Sequence, residues 1–116
     1  MYELNKIARA LTDKNRLLML KLLTEKDICV CEMNEIFPLS HSQISRNLQA
    51  LFSTGFLKRW HDGKCVVYIA DRTESSKCCQ AIIELVTNCL NDDELLHNLR
   101  DKLQKLTEAK VREKSK

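Results

Sequence analysis

The sequence predicts a mainly α fold with one small β-hairpin, and three observations carry that expectation. The 116 residues include only two glycines and one proline, the usage of a helical chain with few irregular loops. Apolar residues recur at helical spacing through most of the length. The segment Phe56 to Ala70 departs from that spacing and brackets an Asp62-Gly63 pair, the signature of a tight hairpin turn. With 44% hydrophobic residues the chain can bury one modest core without metal or disulfide staples. A single domain over residues 1–106 is expected, followed by a charged, frayed tail over residues 107–116.

The elements follow in order, α-α-α-α-β-β-α(-α). Residues 2–11 place Leu4, Ile7, Ala8 and Leu11 on one helical face, and Thr12-Asp13 supplies a capping break. The second helix contains the dense apolar segment Leu17 to Leu23 and is nearly all core. Cys31 to Phe37 gives a short third helix with Met33, Ile36 and Phe37 apolar, and Pro38 stops it. Ser40-His41-Ser42-Gln43 is a capping box: the Ser40 hydroxyl caps the Gln43 amide while the Gln43 side chain reaches back. Behind it Ile44, Leu48 and Leu51 form a core stripe, and Gly55 ends the helix as a left-handed cap. Phe56 to Trp60, the turn His61-Asp62-Gly63-Lys64, and Cys65 to Ala70 make the hairpin. Residues 77–90 form an amphipathic helix, and Asn91-Asp92-Asp93-Glu94 caps a last one. In that last helix Leu96, Leu99, Leu103 and Leu106 repeat at heptad spacing, a seam that needs a partner.

A short helix, a tight turn and a second helix beginning with small polar residues is what entry into the DNA major groove requires, because long side chains there would hold the helix off the base edges. Ser40, His41, Ser42, Gln43 and Ser45 are candidates to donate to phosphates or read bases, and Arg46 to contact guanine or phosphate. Arg59, His61 and Lys64 on the hairpin are candidates to grip the backbone or minor groove. Ser40 and Gln43 serve equally well as mere caps of a surface helix. The net charge of +3 does not by itself mark a nucleic-acid binder. Its distribution says more: between His41 and Lys64, Arg46, Lys58, Arg59 and Lys64 stand against Asp62 alone.

The first residues lack the charged and apolar regions of a secretory signal, and no stretch approaches the length of a membrane span. A cytoplasmic protein without a membrane partner is expected, and there six cysteines point to metal binding, thiol chemistry or plain burial. Cys29-Val30-Cys31 supplies two soft ligands side by side. Residues two apart on an α-helix lie about 200° apart around its axis, so both sulfurs cannot chelate one ion from an intact helix. Either Cys29 precedes the first turn or binding unwinds it. The helix N-terminus and Lys26 favour thiolate at the pair, whereas Asp27 and Glu32 oppose it. The plainer reading makes both cysteines small buried hydrophobes. On the helix over 77–90, Cys78 and Cys89 share one face, with burial at a dimer interface expected for Cys89, and Cys79 shares another with Ile83 and Val86. Cys65 opens a hairpin strand and is read as structural.

The order of elements and residues resembles the arsenical-responsive (ArsR/SmtB) family of winged-helix repressors. The resemblance rests on Ala8-Arg9-Ala10-Leu11-Thr12-Asp13 with Arg16-Leu17-Leu18, on Ile28-Cys29-Val30-Cys31-Glu32-Met33, on Leu39 through Leu48, and on Gly55-Phe56-Leu57 with Asp62-Gly63-Lys64 and Tyr68. It is close over residues 4–72 and extends to the C-terminal helices only in pattern. It implies a winged helix-turn-helix homodimer paired through its first and last helices, with two recognition helices one DNA turn apart on a palindromic operator. It also implies arsenic or heavy-metal ligands at Cys29 and Cys31. A third cysteine often found three positions further on is Asn34 here, which leaves the third ligand open among an exogenous thiol, Cys65, Cys78, Cys79 and Cys89. The vicinal pair Cys78-Cys79 with Cys89 is the runner-up site.

The expected function is therefore a repressor whose apo homodimer holds double-stranded operator DNA and lets go when As(III) or Sb(III) binds thiolates. DNA binding would need no cofactor and no other protein. Oxidation or persulfidation of paired cysteines is the alternative signal. Enzyme activity is not expected, since the chain has no strand-helix nucleotide or thioredoxin pattern and no cysteine beside a plausible base.

Overall fold

A computed structural model describes the backbone of residues 2–114 and the side chains of residues 3–110. The elements are α1 (Tyr2–Ala10), α2 (Lys14–Glu25), β1 (Ile28–Cys29), α3 (Val30–Ile36), α4 (His41–Thr54), β2 (Leu57–Asp62), β3 (Cys65–Ala70), α5 (Lys77–Asn88) and α6 (Glu94–Lys114). Asp13 caps α2 by accepting the Arg16 N–H at 3.0 Å. This helix is the centre of the core, with Leu18, Met19, Leu20, Leu22 and Leu23 buried where α4, α5, α6 and β3 pack on it.

Lys21 is buried in the same run, which its residue type alone does not foretell. Its ammonium donates to the Thr87 carbonyl at 2.7 Å, satisfying an orphan oxygen in the last turn of α5. Glu25 lies 3.9 Å away. Burial lowers the Lys21 pKa, and Glu25 works against that shift.

The sheet is larger by one strand than the hairpin the sequence predicts. Its order is β1-β3-β2, all antiparallel, with Ile28 opposite Tyr68 and Cys29 opposite Val67. Two residues carry too little periodicity to announce a strand, so only the partner in space reveals β1. Within the hairpin Asp62 pairs with Cys65, leaving Gly63-Lys64 as a two-residue loop with Gly63 at φ +64°. That is the glycine-first arrangement of a type II′ turn, set one residue later in the chain than the expected Asp-Gly turn. Gly55 closes α4 at φ +104°, and its N–H reaches back to Leu51 and Phe52 as expected of a left-handed cap.

Two expectations for the last helix are corrected. Leu96, Leu99 and Leu103 are only 0%, 2% and 4% exposed because α6 lies against α2 and α3 of its own chain. Three of the four seam leucines are consumed inside the molecule, and Leu106 is half-buried. Nor does the helix stop near residue 106. It runs to Lys114, and Lys110 Nζ lies within 3.4 Å of Glu32 on α3. Residues 115–116 of the expected tail lie outside the described residues.

Leu103→Ala is expected to cost about 2–5 kcal/mol of unfolding free energy, measured by urea denaturation. A loss below about 1 kcal/mol would return this leucine to an intermolecular role. Among the described residues no helix is long and apolar enough to cross a membrane.

Candidate nucleic-acid interface and thiol site

Ser40 stands in extended conformation before α4, where its Oγ accepts the Gln43 N–H at 3.2 Å and Gln43 Oε1 accepts the Ser40 N–H at 2.9 Å. Both side chains of the predicted capping box are thus engaged in the helix terminus. His41, Ser42, Ser45 and Arg46 are exposed over the first turns, while Ile44, Leu48 and Leu51 are buried on the opposite face. The helix is held by its apolar face and offers its polar one.

Gln43 and Arg46, one turn apart, line a polar cleft of about 210 Å³ with Asn15, Arg16 and Asn47. Arg16 is a residue that sequence reasoning missed. Its Nε donates to Asn47 Oδ1 at 3.3 Å and its Nη1 to the Ala10 carbonyl at 3.4 Å, so α2 braces α4 from the side. The only signal in the sequence is a basic residue at the mouth of an apolar run.

On the hairpin, Arg59 is exposed but not loose. Its Nη1 donates to Gln49 Oε1 at 3.0 Å, and the guanidinium lies 3.8 Å over the Phe52 ring. It extends the basic surface of α4 instead of reaching out along the hairpin. His61 and Lys64 are exposed at the hairpin tip, with Lys64 in the two-residue loop itself.

The sulfur site lies at the other end of the helix-turn-helix unit. Cys29 is the N-cap of α3 at φ −85°, ψ 157°, so it precedes the first turn and escapes the opposite-face problem of an intact helix. Its Sγ accepts the Glu32 N–H at 3.4 Å, and Glu32 Oε1 accepts the Cys29 N–H at 3.0 Å. This is a capping box in which sulfur replaces the usual oxygen. Cys31 follows in the first turn and is exposed.

Cys65, the first residue of β3, completes the arrangement. The sulfurs of Cys29, Cys31 and Cys65 all lie within 4.8 Å of one another, and Cys31 and Cys65 are 2.7 Å apart. The antiparallel pairing of β1 with β3 brings them together, which a sequence without a visible β1 cannot show and which singles out Cys65 from the four cysteines open as a third partner.

Charge around the sulfurs is mixed. Asp27, Asp62 and Lys110 line the same cleft as Cys29 and Cys65. Burial pushes the Cys29 thiol up, against the pull of the Glu32 N–H. The hydrogen bond with Cys31 and partial desolvation push Cys65 up as well. Burial opposes the Glu32 charge, but the Cys29 N–H and Lys110 outweigh it and hold that carboxyl below its usual range. The cation that serves this site is therefore Lys110, delivered by α6. Lys26, the neighbour in sequence, donates instead to Thr107 at 3.3 Å.

The remaining cysteines do not gather within one chain. Cys79 is buried against the Thr54 carbonyl at 3.5 Å, Cys78 is exposed, and Cys89 is the exposed C-cap of α5. Among the described residues, the sulfurs grouped closely enough to share an ion are those of Cys29, Cys31 and Cys65.

The sequence pattern of the bacterial regulatory protein arsR family matches residues 13–59, from the cap of α2 into β2. None of the curated proteins matches the chain. Among solved structures, reduced HlyU from Vibrio cholerae is similar at 26% identity and a TM-score of 0.61, over 73% of this chain and 85% of that one. The homodimeric winged helix-turn-helix DNA-binding domain of Mb0332 from Mycobacterium bovis, a possible ArsR-family transcriptional regulator, is similar at 24% identity and a TM-score of 0.60, over 72% of this chain and 74% of that one. An ArsR-like transcriptional regulator from Rhodococcus is similar at 19% identity and a TM-score of 0.56, over 98% of this chain and 88% of that one.

Proposed function

We propose that this chain, which belongs to the bacterial arsR family of winged helix-turn-helix transcriptional regulators, is a repressor released from operator DNA when As(III) or Sb(III) binds Cys29, Cys31 and Cys65. The observation that carries this reading is the triad of sulfurs shared between the first helix of the DNA-reading unit and the strand that carries the wing. Two thiolates on one soft ion, each about 2.3 Å from it, stand roughly 3.5–3.8 Å apart. Cys31 and Cys65 begin at 2.7 Å, so seating an ion between them spreads α3 from β3. Recruitment of Cys29 also withdraws the sulfur that caps α3. Both movements act on the scaffold that aims α4.

Thiol chemistry favours trivalent metalloid over divalent metal here. Arsenite in neutral water is an uncharged trihydroxide. Each thiol that bonds to arsenic gives its proton to a departing hydroxide, which leaves as water, so three thiols yield a neutral product with no net proton release. A divalent cation on the same three sulfurs releases protons and leaves a net negative charge. Raised pKa values at Cys29 and Cys65 penalise only the second route.

Arsenite affinity is expected to stay flat between about pH 6 and 8, below the raised pKa values of the two thiols. Cadmium affinity should climb by up to about a thousandfold per pH unit, one factor of ten for each of the three protons displaced. Titration by competition with a chromophoric chelator checks both slopes.

A homodimer on a palindromic site is part of this reading, in line with the homodimeric Mycobacterium bovis neighbour. Its apolar surface is sought on α1 and α5, where Leu4 and Leu85 remain 55% and 62% exposed, because Leu96, Leu99 and Leu103 of α6 are buried within the chain. Three thiols acting together need reducing surroundings, so a cytoplasmic repressor is part of this reading. The deciding experiment is a duplex-binding titration of the reduced protein with arsenite, antimonite, cadmium and zinc. Release by micromolar arsenite supports the reading; a protein that binds arsenite at these sulfurs yet grips its operator undiminished refutes it.

A further inference from the structure

We propose that Cys31 and Cys65 form a reversible intrachain disulfide on exposure to hydroperoxides, and that the oxidised repressor stays on DNA and ignores arsenite. The proposal shares its sulfurs with the metalloid reading and rests on that reading for the word "ignores". The disulfide itself rests on geometry alone. At 2.7 Å the Cys31 and Cys65 sulfurs are closer than two ligands of one ion stand, and they must close by roughly 0.7 Å to reach the length of a covalent S–S bond. Cys31 is exposed, so a dissolved peroxide can reach it.

The chemistry balances with a hydroperoxide as the only oxidant. The Cys31 sulfur, as thiolate, attacks the terminal peroxide oxygen. The O–O bond breaks, and the alkoxide leaves as alcohol after taking the thiol proton. Cys31 is then a sulfenic acid. The Cys65 sulfur attacks the Cys31 sulfur, the S–O bond breaks, and the hydroxide leaves as water with the Cys65 proton. Two thiols and one hydroperoxide become one disulfide, one alcohol and one water. The sulfurs lose two electrons and the peroxide gains them.

Oxidation and metalloid binding move the two sulfurs in opposite directions. The disulfide needs them to close by only roughly 0.7 Å and leaves Cys29 in place as the cap of α3, so the frame behind α4 keeps its shape. Metalloid capture spreads the same two sulfurs and takes Cys29 from its cap. Once oxidised, the site has one thiol left where the inducer needs three.

The test treats reduced full-length protein with hydrogen peroxide or tert-butyl hydroperoxide and maps disulfides by non-reducing peptide mass spectrometry. Free thiols should fall by two, with the peptides of Cys31 and Cys65 linked in one chain. Operator affinity should stay within about threefold of the reduced value, and arsenite that releases reduced protein should not release oxidised protein until dithiothreitol is added. In Cys65→Ser the link should be lost and Cys31 trapped as a sulfenic acid by dimedone. A disulfide between other cysteines or between chains would overturn the assignment. So would an oxidised protein whose operator affinity drops about tenfold or more. If the reduced protein does not respond to arsenite, the metalloid reading fails while the peptide map still decides the disulfide.

Discussion

Arg46→Ala is expected to weaken operator binding about tenfold to a hundredfold, the value of one good guanidinium contact to a base edge. Arg46 sits in the second turn of α4, exposed and beside Gln43 in the cleft that α2 and α4 share. Among the described residues no hydrogen bond or ion pair ties its guanidinium down, in contrast to Arg59, which Gln49 and Phe52 hold in place. An exposed arginine without internal partners costs little to remove, so thermal stability should change by less than about 0.5 kcal/mol. Fluorescence anisotropy with cognate and scrambled duplexes separates the two kinds of contact. Loss of discrimination between duplexes marks base reading. A uniform loss with a salt slope shallower by about 0.9 marks a phosphate contact. Wild-type affinity on both duplexes would remove Arg46 from the interface.

The local elements were legible because their signals are local. Ser40 and Gln43 form the expected capping box, Gly55 takes the expected left-handed conformation, and Ile44, Leu48 and Leu51 are buried as their spacing requires. Cys29 stands at the N-cap, ahead of the first turn of α3, which is one of the two arrangements the Cys-x-Cys spacing leaves open. What escaped depends on partners distant in sequence. The pairing of Ile28-Cys29 with Val67 and Tyr68 joins segments almost forty residues apart, and Cys65 acquires its neighbours only through it. The heptad spacing of α6 was visible, but spacing cannot say whether the covering surface comes from another chain. Here α2 and α3 supply it, and the extension of the helix brings Lys110 to Glu32. The same extension changes the electrostatic account of the sulfur site, replacing the neighbour in sequence, Lys26, with a lysine from the opposite end of the chain.

Cys29→Ser and Cys65→Ser, made singly, are each expected to raise the arsenite concentration needed for release by about a hundredfold or more. Loss of residues that merely orient ligands commonly costs ten- to a hundredfold in metal affinity, and a lost ligand costs at least as much. The serine at position 29 is chosen because serine is a preferred N-cap: its hydroxyl can accept the Glu32 N–H that the Cys29 sulfur now accepts, so α3 keeps its start. Operator affinity should therefore stay within about threefold of wild type, a free-energy change of well under 1 kcal/mol. Cys65 tests the wing side of the proposed site, since it lies on β3 of the hairpin with its sulfur beside those of Cys29 and Cys31. Cys78→Ser with Cys89→Ser leaves the triad intact and should respond to arsenite as wild type does. Normal release in both Cys29→Ser and Cys65→Ser, with loss of response in Cys78→Ser and Cys89→Ser, would move the sensing site to α5 and leave the sulfur-capped start of α3 a structural feature alone.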